Sequence, residues 1–426
     1  MVLVAACGPA APVARGTGTA GAPTASGSSA TDTQARADRS APGTAQPATA
    51  QASAGQPCDP RLIGPIAASF VSAMDGYLLG ITLSGCAVSA AAKIVLRETT
   101  DGGRHWTAVP APPAPWGGVA PDGTGHIAAD GVTSVLFADA RDGWAYGPGL
   151  WATHDGGATW HRIDTGGRAV QRMAATEGQV LASLESCDPS DATCDAPHPA
   201  GVERTPAGGD TWRLVPGVAG APAVGGPVVG GPAVGGPAVG GPVLAGPVLA
   251  AQAGSGFAVS PAAGRLGADV PMLTGPADGS ARWVSRPLPC RPGAIALTAV
   301  TATHLLLACA RLGAHPATTY LYSSRDAGAH WTRFAVLGLF DGAGTIEQAP
   351  DGTVLIAGIY DGVALSRDGG RTWTRPAAVD DSDSIQGGGA LTADQVTSEE
   401  GYVIGWLGPL WITRDAGRTW AQVAVH

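Results

Sequence analysis

Apolar and polar residues alternate in short runs along this 426-residue chain, from about residue 60 to the C-terminus. Residues 132–163 show the pattern: "VTSVLF", "GWAYG", "LWAT" and "TWHRI" are four apolar-rich runs separated by polar turns. Short runs bounded by Gly, Asp and Ser are typical of β-strands and lack helical periodicity. The sequence therefore predicts an all-β chain built from units of four short strands.

The predicted turn between the third and fourth strands carries a repeated segment, which we call the box. In its regular form a Ser or Thr, then Asp, then Gly or Ala and Gly, precede a Trp that lies five residues after the Asp. The regular boxes contain the pairs Asp101/Trp106, Asp155/Trp160, Asp326/Trp331, Asp368/Trp373 and Asp415/Trp420. Successive boxes are roughly 40 to 55 residues apart, except for one longer step, and such a period is typical of β-propellers.

Two further boxes are irregular. "TPAGGDTW" keeps Trp212 but has Ala207 in place of the Asp, and "GPADGSARW" keeps Asp278 and Trp283 but has Pro276 in place of Ser or Thr. The longer step between these two boxes contains the low-complexity insertion 220–250, with its "GGPAV"-like repeats. Seven boxes therefore predict seven four-stranded blades.

The residue types of the box predict a turn without chemistry. Ser, Thr and Asp side chains can accept backbone N–H groups, and Gly can adopt positive φ. The Trp is predicted to begin the fourth strand and can cover the turn with a large apolar surface. The box is therefore predicted to be a self-contained structural clamp, and its aspartates are not candidates for catalysis.

The pattern S/T-x-D-x-G-x-T-W resembles the Asp-box, or bacterial neuraminidase repeat, of sialidases, sortilin-type receptors and the photosystem II assembly factor family. "FADARDGWAYGPGLWATHDGGATW" is most similar to the last of these. The resemblance covers roughly residues 60–426 and implies a seven-bladed β-propeller with box hairpins. It does not imply one function, because the box occurs in enzymes and in binding proteins.

The N-terminal "MVLVAACG" resembles a bacterial lipobox, which implies a truncated lipoprotein signal over 1–7 and lipidation of Cys7; the alternative is a chance cysteine near a ragged start. Residues 8–56 are mostly Ala, Gly, Pro, Ser, Thr and Gln, and they predict a disordered linker. The propeller is predicted over 57–426. The expected location is the extracytoplasmic face of a membrane, reached by the lipid anchor alone.

The net charge of −9 argues against a nucleic-acid partner. The six remaining cysteines favour disulfides, and of the fifteen possible pairings we prefer the local ones. These are Cys58–Cys86, Cys187–Cys194 and Cys290–Cys309. No metal site is expected from the cysteines, because neither Cys-x-x-Cys nor clustered His accompanies them.

The longest irregular segments join second to third strands (84–93 and 185–201) or join blades (110–131, 220–250 and 377–389). In a propeller these connections share the face opposite the boxes, which we therefore predict to bind a partner. The candidate residues there are Trp116, Asp188, Asp191, Asp195, His198, Asp380, Asp381 and Asp383. Their acidic runs could bind Ca²⁺ or be solvated loops, and no other cofactor is expected. Trp116 could be a ligand platform or a plug over the ring.

The sialidase resemblance implies three arginines, a Tyr–Glu nucleophile pair and an acidic residue. The chain offers only weak candidates: Arg61 in "RLIGP", Glu347 on a predicted inner strand, and Tyr360. Glu347 could equally be an ordinary polar residue of the channel. The preferred function is a non-catalytic, monomeric surface lipoprotein that binds an envelope protein, peptide or glycan. The alternatives are a sialidase-like exo-glycoside hydrolase and an envelope assembly factor.

Overall fold

A computed structural model describes residues 63–82, 92–117, 130–186, 198–218, 248–259, 271–289, 294–310, 318–338, 343–358, 362–376, 379, 390–395, 397, 399–405 and 409–426. All of them lie in one compact unit, Gln56–His426. The predicted signal 1–7, the linker 8–56 and nearly all of the insertion 220–250 lie outside the described residues.

The described residues form 27 strands in seven antiparallel sheets, which we number as blades 1 to 7. Blade 1 contains β1 (Ile63–Phe70), β2 (Gly76–Thr82), β3 (Ile94–Thr99) and β4 (Thr107–Val109). Blade 2 contains β5 (Ser134–Phe137), β6 (Gly143–Tyr146), β7 (Leu150–Thr153) and β8 (His161–Arg162). Blade 3 contains β9 (Ala169–Thr176), β10 (Gln179–Ser186), β11 (His198–Pro206) and β12 (Arg213–Leu214). Blade 4 contains β13 (Val248–Gln252), β14 (Ser255–Val259), β15 (Met272–Pro276) and β16 (Val284–Arg286).

Blade 5 contains β17 (Ala294–Ala299), β18 (Leu305–Ala310), β19 (Thr318–Ser324) and β20 (Thr332–Gly338). Blade 6 contains β21 (Ala343–Gln348), β22 (Val354–Gly358) and β23 (Gly362–Ser366), and a single bridge between Leu365 and Thr374 stands in for its fourth strand. Blade 7 contains β24 (Ala390–Gln395), β25 (Gly401–Gly405), β26 (Leu410–Thr413) and β27 (Ala421–Val423).

The first strand of each blade lies at the centre, and we call β1, β5, β9, β13, β17, β21 and β24 the inner ring. Neighbouring members contact one another around the ring, which β1 completes by packing on β25. The predicted all-β, seven-bladed propeller is confirmed. Within the described ranges no helix is long and apolar enough to cross a membrane.

The core lies between the blades and not inside any one of them. Second strands such as β22 and β25 are buried at every position, because a neighbouring blade covers each face of the sheet. Their continuous apolar runs in the sequence follow from this two-sided burial. Tyr77 of blade 1, for example, stacks on Phe137 of blade 2 with ring centroids 3.5 Å apart.

The ring closes without exchanging a strand, since every blade uses consecutive strands. The Ile63 amide donates to the Val425 carbonyl over 3.1 Å. The Tyr402 hydroxyl of blade 7 donates to the Ala68 carbonyl of blade 1 over 2.9 Å. Ile63, Leu78 and Ile412 are buried in the apolar cluster at this junction. Side-chain packing and a few hydrogen bonds therefore hold blade 7 against blade 1.

Two faces can be defined from the boxes. Each box follows a third strand, and its backbone reaches the turn between the first and second strands: Gly102 donates to Met74, and Gly156 donates to Arg141. This side is the box face. First strands begin, and second strands end, at the opposite side, which we call the non-box face.

Candidate functional site

The boxes are networks of local hydrogen bonds. In blade 2, Thr153 Oγ1 donates to Asp155 Oδ1 (2.8 Å) and accepts from the Gly157 amide (2.9 Å). Asp155 also accepts from both the hydroxyl and the amide of Thr159, at 2.6 and 2.8 Å. Hydrogen bonds from Thr159 lower the pKa of Asp155 to about 2. A carboxyl held ionised in this way is a poor proton donor near neutral pH, so its role is structural.

The same arrangement recurs in the other regular boxes. Hydrogen bonds from His330 lower the pKa of Asp326 to about 2, and hydrogen bonds from Thr372 do the same for Asp368. Burial raises the pKa of Asp415, but the hydrogen bonds that Thr419, Thr413 and Arg418 donate to its carboxylate outweigh burial, so the pKa is lowered. The irregular box of blade 4 keeps a weaker version, in which hydrogen bonds from Ser280 lower the pKa of Asp278.

The box is not the self-contained clamp that the sequence predicted, because its Trp also packs on the preceding blade. Trp160 of blade 2 packs on the cluster that joins blades 1 and 2, which contains Leu96, and its Nε1 donates to the Pro110 carbonyl over 3.0 Å. Trp106 of blade 1 packs likewise on the cluster that joins blades 7 and 1, which contains Leu410 and Ile412 of blade 7. These boxes therefore join their own blade to the one before it.

The boxes of blades 5 to 7 make the same inter-blade contact. Trp331 packs on the cluster that contains Met272 of blade 4. Trp373 packs on the cluster that contains Leu337 of blade 5. Trp420 is itself a buried member of the cluster that joins blades 6 and 7. The prediction of a self-contained clamp was therefore wrong for these boxes as well.

The irregular boxes keep this packing. Trp283 is only 3% exposed, lies against Leu181 and Val202 of blade 3, and donates to the Pro276 carbonyl. Trp212 packs on the cluster that joins blades 2 and 3, which contains Leu150 of blade 2. The inter-blade contact of the Trp is thus kept where the Ser/Thr or the Asp is lost.

The predicted start of the fourth strand at the Trp was also wrong, by one residue. In six blades the fourth strand begins at the residue that immediately follows the Trp. The six Trp residues are Trp106, Trp160, Trp212, Trp283, Trp331 and Trp420. In blade 6, Trp373 immediately precedes the single bridge at Thr374. The Trp side chain is drawn into the gap between blades, so its backbone ends the turn and the next residue begins the strand pairing.

The indole N–H groups are used unevenly. Trp373 Nε1 donates to the Gly370 carbonyl of its own box over 3.1 Å. The buried Nε1 atoms of Trp331 and Trp420 hydrogen-bond none of the described residues. Packing of the ring, and not a hydrogen bond of the indole, is therefore the contribution that all the boxes share.

The inner ring presents seven equivalent positions near the box face. Each is the next-to-last residue of a first strand and pairs with the second residue of the second strand. In ring order from blade 1 these residues are Ser69, Leu136, Ala175, Ala251, Thr298, Glu347 and Asp394. The polar members occupy adjacent blades, 5 to 7 and 1, and form one acidic arc of the ring.

Glu347 is the centre of this arc. Thr298 Oγ1 of blade 5 donates to Glu347 Oε2 over 2.9 Å. Burial, and then the negative charge of Asp394 in blade 7, raise the pKa of Glu347 well above its usual value. No arginine side chain within the described ranges hydrogen-bonds Glu347, and the hydroxyl of the nearby Tyr402 is directed to the Ala68 carbonyl. Among the described residues, neither an arginine nor the Tyr402 hydroxyl therefore hydrogen-bonds Glu347.

A second polar group lies towards the non-box face. Tyr146 ends β6, Glu185 lies near the end of β10, and Arg172 lies in the first half of β9. Glu185 is 7% exposed; burial raises its pKa, and the charge of Arg172 opposes the rise. Burial likewise raises the pKa of the Tyr146 hydroxyl, and Arg172 again opposes the rise. The Arg172 side chain is itself exposed, and its guanidinium donates to the Gln171 carbonyl.

Of the residues predicted for the binding face, only two are described. Trp116 is half-buried, packs on the core cluster that joins blades 1 and 2, and its backbone bridges to Val132. His198 begins β11. Asp188, Asp191, Asp195, Asp380, Asp381 and Asp383 lie outside the described residues, as do Arg61 and Tyr360.

Cys309 is buried and disulfide-bonded. All other cysteines, namely Cys7, Cys58, Cys86, Cys187, Cys194 and Cys290, lie outside the described residues. The disulfide pairings therefore stay predictions.

Sequence reasoning missed Tyr146, Arg172 and Glu185, and from the acidic arc it missed Thr298 and Asp394. A signal was present: charged residues interrupt the small and apolar residues of predicted inner strands, as in "AVQRMAAT" and "ALTADQ". These residues can be recognised as one site only after equivalent strand positions have been aligned across all the blades.

Comparison with known proteins supports the fold. No family model matches the chain, and no curated protein matches it. The chain is similar to YCF48 bound to D1 peptide (TM-score 0.51, 17% identity, covering 84% of this chain and 95% of that chain). It is also similar to YCF48 from Cyanidioschyzon merolae (TM-score 0.52, 17% identity, covering 86% and 99%).

A GH74 xyloglucanase from Xanthomonas campestris is matched less well, with a TM-score of 0.32 and 14% identity over 86% of this chain and 73% of that chain. That score is too low to carry an argument. At 17% identity the YCF48 structures show the fold alone. Together with the seven sheets, they establish this chain as a seven-bladed β-propeller.

Proposed function

We propose that this chain is a non-catalytic binding propeller, which holds a peptide segment of a partner protein at the non-box end of its inner ring. The observation that carries the proposal is the exposed guanidinium of Arg172, on an inner strand beside the buried Glu185 and Tyr146. Among the described residues, that guanidinium hydrogen-bonds one backbone carbonyl and no carboxylate.

The chemistry of this position favours an acidic ligand. A guanidinium offers five donors in a planar fork that matches a carboxylate, and its charge does not change with pH. A peptide carboxylate, from an acidic side chain or from a C-terminus, would use the remaining donors. The bound D1 peptide of a YCF48 propeller agrees with a peptide as the kind of partner.

Binding of short peptides to the full chain would test the proposal. The peptide array presents each peptide once with a free C-terminus and once with an amidated C-terminus. The peptides also differ in the number and position of their acidic side chains. We expect binding to a subset of carboxylate-bearing peptides, and its loss in Arg172→Gln. Arg213→Gln changes another exposed arginine, on the outer strand β12 of the same blade, and this variant should bind normally. Binding that is absent from the array, or equal in both variants, would refute the proposal.

The cellular setting is part of the same proposal: Cys7 carries a lipid, and 8–56 tethers the propeller to the outside of a membrane. The disulfide at Cys309 supports an oxidising compartment. Mass spectrometry of the chain isolated from its native membrane fraction should find an acylated Cys7. An unmodified Cys7 on chain recovered from the soluble fraction would contradict the anchor.

A glycoside hydrolase is the second candidate, favoured by one observation. Two neighbouring carboxyls, one with a raised pKa, can supply a general acid and a second catalytic carboxylate, and Glu347 with Asp394 offers such a pair. Turnover of a fluorogenic sialic acid glycoside by the full chain, compared with Glu347→Gln, tests it. We expect no turnover; turnover that Glu347→Gln abolishes would replace the binding proposal with a hydrolase.

A further inference from the structure

Two histidines and an aspartate converge on the box face between blades 2 and 3. His154 lies inside the box of blade 2, His161 begins β8, and Asp210 belongs to the irregular box of blade 3. His154 Nε2 lies 3.1 Å from Asp210 Oδ1, and His161 Nε2 lies 2.8 Å from Asp210 Oδ2. Two imidazole nitrogens therefore point at one carboxylate.

A second carboxylate orients the first histidine. His154 Nδ1 lies 2.7 Å from Asp142 Oδ1, and its ring packs edge-on against the buried Trp144. In the neutral imidazole with its proton on Nδ1 towards Asp142, the Nε2 lone pair would be available to an ion on the Asp210 side. A carboxylate behind a histidine in this way is the usual outer partner of a metal-binding imidazole.

The separations suit a metal ion. The three ligand atoms all lie within 4.8 Å of one another. Zinc bonds of about 2.0–2.2 Å to nitrogen and oxygen place tetrahedral ligands roughly 3.3 Å apart, so small side-chain rotations would admit an ion. The side chains of His154, His161 and Asp210 are 29%, 48% and 42% exposed, which leaves room for water as a further ligand.

The cluster arises where the repeat departs from its pattern. The box of blade 3 has Ala207 in place of the usual Asp, and carries Asp210 two residues before its Trp. The other six boxes have Arg or Ala at that position. His154 stands where the boxes of blades 6 and 7 have Arg367 and Arg414, whose guanidinium groups bond to backbone carbonyls of the next blade's box.

We propose that His154, His161 and Asp210 bind a divalent transition-metal ion of the Zn²⁺ class, which fastens blade 2 to blade 3. Imidazole nitrogens with one carboxylate are ligands that suit Zn²⁺ and Co²⁺ better than Ca²⁺ or Mg²⁺. Asp142 positions His154 and does not touch the ion. Sequence analysis did not identify this site, because the two histidines are seven residues apart and the aspartate lies in the following repeat.

Titration of the untagged, chelator-treated full chain with Co²⁺ tests the site. We expect one equivalent to bind with the visible absorption of low-coordinate Co²⁺, and Zn²⁺ to displace it. Asp210→Asn and His161→Ala should abolish this absorption, while Asp142→Asn should weaken binding about 10- to 100-fold. Circular dichroism of each variant verifies that the propeller is folded.

His105→Ala is the matched control. His105 Nδ1 also contacts a box aspartate, Asp101, at 2.6 Å, but no second histidine among the described residues shares that carboxylate. This variant should bind Co²⁺ as the unmodified chain does. Absence of saturable Co²⁺ binding, or equal binding by Asp210→Asn, would overturn the proposal.

Discussion

Substitutions at two adjacent glycines of the blade 6 box can distinguish the contribution of its local turn from that of its contact with the neighbouring blade. Gly369 and Gly370 both have positive φ, 72° and 88°. A Cβ on Gly369 would meet nothing within 4 Å, whereas a Cβ on Gly370 would lie 2.5 and 2.7 Å from ring carbons of Phe334 in blade 5. Alanine at each position therefore imposes the same kind of backbone strain, but only the second introduces an overlap.

The expected costs differ accordingly. A left-handed alanine costs about 1–2 kcal/mol, partly offset because alanine restricts the unfolded chain. Ala327 and Ala416 already occupy the first position in two other boxes, at φ of 53° and 57°. Gly370→Ala adds the cost of an overpacked contact, about 1–3 kcal/mol. We therefore expect Gly370→Ala to be less stable than Gly369→Ala by about 1–3 kcal/mol.

Urea unfolding of the full chain, followed by tryptophan fluorescence, gives the free energy of unfolding of each variant. If refolding is incomplete, the unfolding rates of the variants are compared instead. A third variant, Phe334→Leu combined with Gly370→Ala, should recover part of the loss, because the smaller side chain can move away. Equal stabilities for the two alanine variants would refute the idea that the second glycine exists for the inter-blade contact.

Three further predictions concern the box and the acidic arc. Thr153→Val removes a fully buried hydroxyl and leaves the Gly157 amide unpaired, so it should destabilise the fold by about 1–3 kcal/mol in the same urea assay. The control is Thr211→Val, at an exposed threonine, which should change the free energy of unfolding little. The pKa of Asp155 is about 2 in the folded chain, against an ordinary value of 3.8, so its contribution to stability is complete above pH 4 and is lost as pH falls towards 2. The stability of Asp155→Asn should therefore fall less steeply over that pH range than that of the unmodified chain. Parallel pH profiles for the two proteins would contradict this. The pKa of Glu347 is raised, so its contribution to stability is present below about pH 4.5 and is lost as pH rises through the higher folded-state pKa. Glu347→Gln should remove this decline in stability at rising pH. If the variant shows the same decline, another group causes it.

The sequence was sufficient for the fold because the box marks every blade. Its glycines and its Trp identify seven units even where Ala207 replaces the Asp or Pro276 replaces the Ser or Thr. Strand positions followed from short apolar runs, and these are continuous in strands such as β22 because both faces are buried. Blade 6 alone departs, with a bridge at Thr374 in place of a fourth strand.

The polar groups were much harder to predict, since each depends on contacts between blades. Glu347 was selected from its predicted inner strand, but its partners Thr298 and Asp394 lie in neighbouring blades some 50 residues away in the chain. The environment of Arg172 depends on residues from two blades in the same way. The inter-blade packing of the box Trp was missed for the same reason. Periodicity assigns a residue to a strand, but it does not measure how far apart equivalent strands lie.

The closure of the ring between Ile63 and Val425 has a consequence for how the chain could be cut and rejoined. Because each blade is one contiguous segment, a circular permutation that joins the two ends and opens a connection between blades would leave every sheet intact. Such a permutant would retain all the β-sheet hydrogen bonds of the parent. The order of the blades along the gene can therefore be rotated by whole blades without splitting one.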